Sequence, residues 1–265
     1  MIRTSLHLVV LLTCVDGLSG QVAQEGEGDA TEVAALARVD SLYSALDASA
    51  SLVAAETLAT ADPDGPAAWR AARAAVSLGM LADGDEAQNE WYRRGEAHAA
   101  RAVAADSASL DALFWLTAAK GRLALQAGSG DAARLGNEVW RHTHRMLAMD
   151  PDHAGAHNVL GKLQYEVMTL SRVERFLAKM ILGDNEALDG STWEGAETHL
   201  RRALALDPEA VLYHYDLARM LIRHGREDEG IMELRTVLEL PVRYPSDAGI
   251  KDDARRRLER LGVRP

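Results

Sequence analysis

Two histidine pairs are the residues of this chain whose type and spacing most invite a chemical reading. His153 and His157 stand four apart in DPDHAGAH, one helical turn, so both imidazoles can face one side and offer nitrogen to a zinc ion. A structural zinc site takes about four ligands and a catalytic one about three, and no third ligand stands nearby in the sequence. His142 and His144 in RHTHR are two apart, so on a helix they diverge and read as exposed polar residues. Asp83 and Asp85 in ADGDEAQNE lack the rest of a calcium loop, with its central glycine and closing glutamate, and read as a turn followed by a helix N-cap. Serine-hydrolase GxSxG, HExxH, Walker and dinucleotide glycine patterns are absent. These residues point away from an enzyme, and no cofactor, metal or catalytic group is expected.

Composition narrows the partner. The 265 residues carry a formal net charge of -11 and a pI near 5.3, so a general phosphate-binding surface would work against the protein's own field, and nucleic acid is not expected as a partner. Hydrophobic residues make up 48% of the chain but aromatics only 5%, with alanine abundant, which favours close-packed helices over sheets. Arg3 followed by the apolar run Leu6 to Val15 reads as an export signal over residues 1–19, with Gly17 and Ser19 before the cleavage point. The run is about half of the roughly 20 residues that a bilayer span needs, so no transmembrane span is expected in the mature, periplasmic or secreted chain. Cys14, the one cysteine, offers lipid anchoring as the alternative. Residues 20–29 read as a flexible linker.

The elements that would position any site announce themselves as a recurring helix ending: LATADP, AVAADS, MLAMDP and ALALDP, with aspartates at Asp62, Asp106, Asp150 and Asp207. Seven residues beyond each aspartate come Trp69, Leu113, His157 and His214; ten beyond come Ala72, Leu116, Leu160 and Leu217. Eleven beyond, where a small residue lets two helices approach, stand Thr117, Gly161 and Ala218, but Arg73 in the first unit. Before Asp207, Ala196, Leu200 and Ala203 form one stripe of the second helix. This is the pattern of tetratricopeptide-like helix pairs, at longer spacings of 44, 44 and 57 residues. The chain is therefore expected to be all-α, a tetratricopeptide-like α-α superhelix over 30–262, with units near 30–62, 63–106, 107–150, 151–207 and 208–240 and a capping helix at 246–262. Breaks are expected at Asp47 and at ADPDGP, ADGD, QAGSGD and GDNEALDG.

Within residues 150–183, Gly155, Ala156, His157, Leu160, Gly161, Tyr165, Glu166, Arg175 and Gly183 carry a narrower pattern, a GAHxxLG helix followed by a charged segment ending in glycine. In these residues the chain resembles the regulator of microtubule dynamics family, as a bacterial-type exported member. The resemblance implies a helical repeat module, with microtubule association in the animal members, and so a cytoskeletal or membrane-associated adaptor as an alternative role.

An extra helix inserted near 170–182 accounts for the longest spacing. Leu170, Val173, Leu177 and Met180 form its stripe, expected to pack on the solenoid's flank or to serve as a lid or a membrane-surface contact. An enzyme site beside this insert and the His153 to His157 turn is the remaining alternative. If the units stack, their first helices line a groove, and its projected facing residues are Arg70, Phe114, Asn158, Lys162, Tyr165, Tyr215 and Arg219. Their cations and amide could hold a carboxylate or acidic peptide while the aromatics supply apolar contact. The expected function is non-catalytic protein or peptide binding in this groove, as an envelope scaffold. Replacing Lys162 and Arg219 by alanine is expected to abolish binding without unfolding. Trp69 and Trp115, where buried, are expected to cost about 3 to 5 kcal/mol each on truncation to alanine, and Trp193 is expected beside the insert.

Overall fold

A computed structural model describes residues 16–62 and 65–264, with the side chains of 16–29, 172, 177, 181 and 182 outside that description. The segment 1–15, with Cys14 and most of the expected export signal, lies outside the described residues. Helices run in antiparallel pairs: α1 (Asp16–Ser44) with α2 (Ala48–Ala61), α3 (Ala67–Leu81) with α4 (Asp85–Ala105), and α5 (Leu110–Gln126) with α6 (Ser129–Met149). α7 (Ala154–Thr169) pairs with α10 (Trp193–Leu206) across an insertion of α8 (Arg172–Leu182) and α9 (Glu186–Gly190). α11 (Val211–Arg223), α12 (Glu227–Glu239) and α13 (Asp247–Arg260) complete an all-α, tetratricopeptide-like solenoid with no strand among the described residues.

The four recurring aspartates occupy one backbone state. Asp62, Asp106, Asp150 and Asp207 are each the C-cap of a second helix, at φ between -139° and -131° and ψ between 86° and 97°. Each donates its N–H to the carbonyl four residues back. Asp106 and Asp150 then turn a carboxylate oxygen onto the N–H two residues on, at 2.9 and 3.0 Å, which starts the turn into the next unit. Helix starts are fixed by side-chain acceptors at Asp47, Ser109, His153, Asn185 and Thr192, and by a full capping box between Ser171 and Glu174.

Small residues set the helix spacing. A Cβ added at Gly161 would stand 2.7 Å from Leu200 Cγ and 2.9 Å from the Ala196 carbonyl oxygen, so only glycine lets α7 and α10 approach this closely. In the first unit Arg73 replaces the small residue. Its guanidinium lies 4.0 Å above the Tyr43 ring and donates to Asp40 at 2.7 Å, filling the space between α3 and α1.

Several expectations need correction. Residues 20–29 lie inside α1 and are not a linker, since QVAQEGEGDATEVA is rich in helix-forming Gln, Glu and Ala and contains no proline. Gly17 and Ser19 fall within the same helix. GDNEALDG, read as a break, contains α9, which Asn185 caps by accepting the N–H of Leu188 at 3.0 Å. α8 lies against α6 with Ala178 buried, but Val173 and Met180 are 66% and 68% exposed, together with Phe176; of the expected stripe, the Leu177 side chain lies outside the described residues. Trp69 and Trp115 are half-buried, packed against core clusters on one side and lining the inner face on the other. Trp193, expected beside the insert, stacks on His224 at 4.7 Å and packs on the cluster formed by Tyr165, Leu200 and Leu221.

The solenoid turns back on itself. Met80 of α3 packs against the C-terminal cluster that contains Val211, Ile250 and Ala254, and a Cβ on Gly249 would stand 3.5 Å from Leu81. The concave side is thereby walled by early and late units alike.

Candidate functional site

The inner side of the superhelix is a cavity of about 840 Å³, within the range that holds an organic ligand or a short chain segment. Trp69, Met80, Phe114, Trp115, Val159 and Leu163 supply apolar wall from α3, α5 and α7, and Leu212 and Tyr213 close the far side from α11. These side chains face inward because the outer stripe of each first helix is spent on packing between units: Leu113, Leu160 and Leu217 are fully buried there.

The cavity floor is charged. Lys162 on α7 stands 3.0 Å from Asp216 on α11, and Asn158, one turn before Lys162, donates its amide to the other carboxylate oxygen at 3.1 Å. Asp216 is 0% exposed. Burial alone would raise its carboxyl, but Lys162, Arg219 and Arg122 hold it below the usual carboxylate value. Burial pushes the Lys162 ammonium down to about 8, with Asp216 opposing the shift. Both groups are therefore ionised at neutral pH. Removing Lys162 would strand a buried carboxylate, which adds a cost in stability to its loss.

Of the projected groove residues, the structure brings Phe114, Asn158 and Lys162 to the cavity. Arg70 is turned away: it pairs with Asp40 of α1 at 2.9 Å and donates to the Pro66 carbonyl at 3.0 Å. Tyr165 is buried behind the wall among Leu200, Leu217 and Leu221, where burial pushes its phenol well above the usual value. Tyr215 points at α13, where its hydroxyl contacts Asp253 and accepts from Arg257 at 2.7 Å. Arg219 pairs with Glu166 at 3.2 Å, with its guanidinium 5.5 Å from the Tyr165 ring. A straight projection from the aspartates misses how each unit rotates against the last, so these four facing positions become contacts between units.

The sequence reading missed Arg122, Trp115 and Asp216 as site residues. Arg122 lies on α5, eight residues beyond the projected Phe114. Asp216 carried a legible signal, an acid between Tyr215 and Leu217 in the apolar stripe of YHYDLARML.

The histidines are occupied. His153 Nδ1 accepts the Ala156 N–H at 3.1 Å, while His157 meets His199 Nδ1 to Nδ1 at 2.9 Å and the Pro151 carbonyl at 2.9 Å. The two histidines thus turn to different partners, and among the described residues no group of three His, Cys, Asp or Glu could hold a metal. His142, expected exposed, is half-buried, and burial lowers its imidazole. The arginines of α13 pair with Asp252 and Asp253. Among the described residues no helix is long and apolar enough to cross a membrane.

A family model described as Regulator of microtubule dynamics protein 1-3 matches residues 35–262. Regulator of microtubule dynamics protein 3 from Bos taurus is 24% identical over 196 residues, which make up 74% of this chain and 40% of that protein. The chain thus matches less than half the length of this curated relative. TTC0263, a thermophilic TPR protein in Thermus thermophilus, has the same fold, with a TM-score of 0.60 at 20% identity over 86% of this chain and 99% of that one. An IFIT1 monomeric mutant, solved with Gppp-AAAA, reaches a TM-score of 0.47 at 15% identity over 82% of this chain and 51% of that one, too low to carry an argument.

Proposed function

Because the chain belongs to the Regulator of microtubule dynamics protein 1-3 family, we propose that it is a non-catalytic binding module that takes an extended polypeptide segment of a partner into its interior cavity. The observation that carries this reading is the cavity of about 840 Å³, walled by aromatic and aliphatic side chains from units distant in sequence. Such a surface rewards apolar side chains presented on a narrow chain and leaves no room for a folded domain. Absence of catalysis is in keeping with histidines and carboxylates that are spent on caps and ion pairs. A net charge of -11 over the whole chain weighs against docking on nucleic acid or on an acidic filament and supports a partner contact in the cavity. Export to the envelope, from the signal-like segment 1–19, completes the proposal.

A second reading is an amphipathic small molecule, favoured by the return of the C-terminal cluster onto Met80, which limits access from solvent. Titration with the neutral fluorophore N-phenyl-1-naphthylamine tests the shared premise. Saturable one-to-one binding is expected in the wild type and weaker binding in Ala118→Trp, which takes up part of the cavity. No saturable binding to the wild type would refute the cavity as a binding site. Native mass spectrometry of the purified protein separates the two readings, since a retained small amphiphile favours the second.

A further inference from the structure

The carboxylates of the cavity floor, Asp216 and Glu166, are both taken by cations other than Arg122. Arg122, Lys162 and Arg219 gather around Asp216 and Glu166. Lys162 is matched to Asp216 at 3.0 Å and Arg219 to Glu166 at 3.2 Å. Arg122 is left over: its Nη2 meets only the Met80 thioether, at 3.3 Å, and no carboxylate among the described residues lies within 4.0 Å of it. It lines the same cavity as Lys162 and Asp216. Other acids on the cavity wall have their own roles. Asp247 accepts the N–H groups of Arg243 and Tyr244 at 2.8 Å each, Glu174 closes the capping box of α8, and Asp111 stands exposed at the rim.

The same cavity wall carries a spare acceptor. The Asn158 side chain is 3% exposed and lines the cavity, and its Oδ1 has no hydrogen-bond partner. Its orientation is fixed by its neighbour, because the Asp216 carboxylate can only accept and so takes the amide N–H. A buried acceptor without a donor is costly unless a ligand supplies one.

We propose that the floor of the cavity reads the C-terminal residue of a polypeptide, with Arg122 pairing the terminal carboxylate, Asn158 Oδ1 accepting the adjoining amide N–H, and Phe114, Trp115 and Val159 holding the side chain. The inference rests on the cavity being the binding site and adds the chemistry of what enters it. A C-terminal residue alone among chain segments presents an anion, an N–H and a side chain within one residue's length. A free fatty acid brings the anion but leaves Asn158 unsatisfied, and an amide-capped peptide brings the N–H but leaves Arg122 unpaired. Guanidinium is suited to the task by its planar fork, which meets a carboxylate through two N–H groups at once.

Three probes with one fluorophore test this on the full chain: dansyl-leucyl-phenylalanine, its C-terminal amide, and dansyl-undecanoate. The free acid is expected to bind wild type at least about tenfold more tightly than the amide, the factor typical of a hydrogen bond to a charged group. It is also expected to bind more tightly than the undecanoate. Arg122→Gln should bind acid and amide alike, and Arg122→Lys, which keeps the charge without the fork, should fall between. Unchanged melting temperatures certify both variants as folded. Equal affinity for acid and amide in wild type, or an acid preference that survives in Arg122→Gln, overturns the proposal. So does tighter binding of the undecanoate than of the peptide acid. If these fail while N-phenyl-1-naphthylamine still binds, the cavity reading stands and the C-terminal subsite falls. If the neutral fluorophore fails as well, both fall.

Discussion

Replacing Lys162 by methionine preserves most of the side-chain volume and removes the charge that faces Asp216. The carboxylate left behind is 0% exposed, keeps Asn158 at 3.1 Å, and has Arg219 only at 4.0 Å. Breaking a buried pair in this way costs about 3 to 5 kcal/mol, and the remaining Arg219 puts the expectation near 3. A second substitution, Asp216→Leu in the same chain, removes the stranded charge and leaves only the Asn158 amide without an acceptor, worth about 1 kcal/mol. The double variant should therefore recover about 2 kcal/mol of the loss. Urea unfolding followed by far-ultraviolet circular dichroism reads the loss, and tryptophan fluorescence includes the region through Trp193, which packs on the cluster that holds Leu217 and Leu221. The same pair has a signature in pH. Lys162 titrates at about 8 in the folded chain against 10.5 when exposed, so between those values the unfolded chain binds more protons and stability rises with pH. That rise amounts to about 3 kcal/mol at most and should be missing from Lys162→Met. The buried tyrosines work the other way, since Tyr165 and Tyr213 ionise less readily when folded and lower the stability above about pH 10. A Lys162→Met variant within about 1 kcal/mol of wild type, or a double variant as unstable as the single one, would refute the reasoning.

Three further outcomes follow from the packing. His199 is held down to about 4, first by burial and then by His157, so the folded chain resists protonation and stability falls as pH drops from 6.5 toward 4. The loss, on the order of 2 kcal/mol after allowing for partial exposure, should shrink in His199→Phe when thermal midpoints are compared across that range. Gly161→Ala should destabilise by about 1 to 3 kcal/mol in denaturant titrations despite alanine's better helix propensity, because the new methyl meets the backbone of α10. Phe176→Ser should change the melting temperature little, since that ring is 63% exposed; a loss above about 1 kcal/mol would mean that α8 packs more closely than described.

Much of the architecture was legible because the four C-cap aspartates repeat a backbone state as well as a residue type, and because Gly161, Ala196, Leu200 and Ala203 mark where α7 and α10 touch. Helix α9 was not legible: five residues are too few for periodicity to show, and Asn185 caps them inside a segment that reads as a turn. The site was legible in part. Phe114, Asn158 and Lys162 were reached by counting along the chain, but Arg70, Tyr165, Tyr215 and Arg219 were not separated from them. The difference is set by partners from other units: Asp40 claims Arg70, Asp253 claims Tyr215, and Glu166 claims Arg219. Such pairings depend on the twist between units, which no single repeat encodes. Arg122 is the reverse case, a residue made interesting because no acid comes to meet it.

The return of Met80 onto the C-terminal cluster changes what kind of repeat protein this is. An open array can gain or lose a unit and remain itself, and it can begin folding anywhere along its length. Here α3 touches the C-terminal cluster, so the units between them are held at both ends. The seam between residue 80 and residues near 250 also joins points far apart in the chain, so its formation must await synthesis of the last helix. A nascent chain still on the ribosome has its repeats but not its closed interior. A truncation that removes α13 takes away Asp247 from the cavity wall and Gly249 from the seam with Leu81, and should leave the interior open.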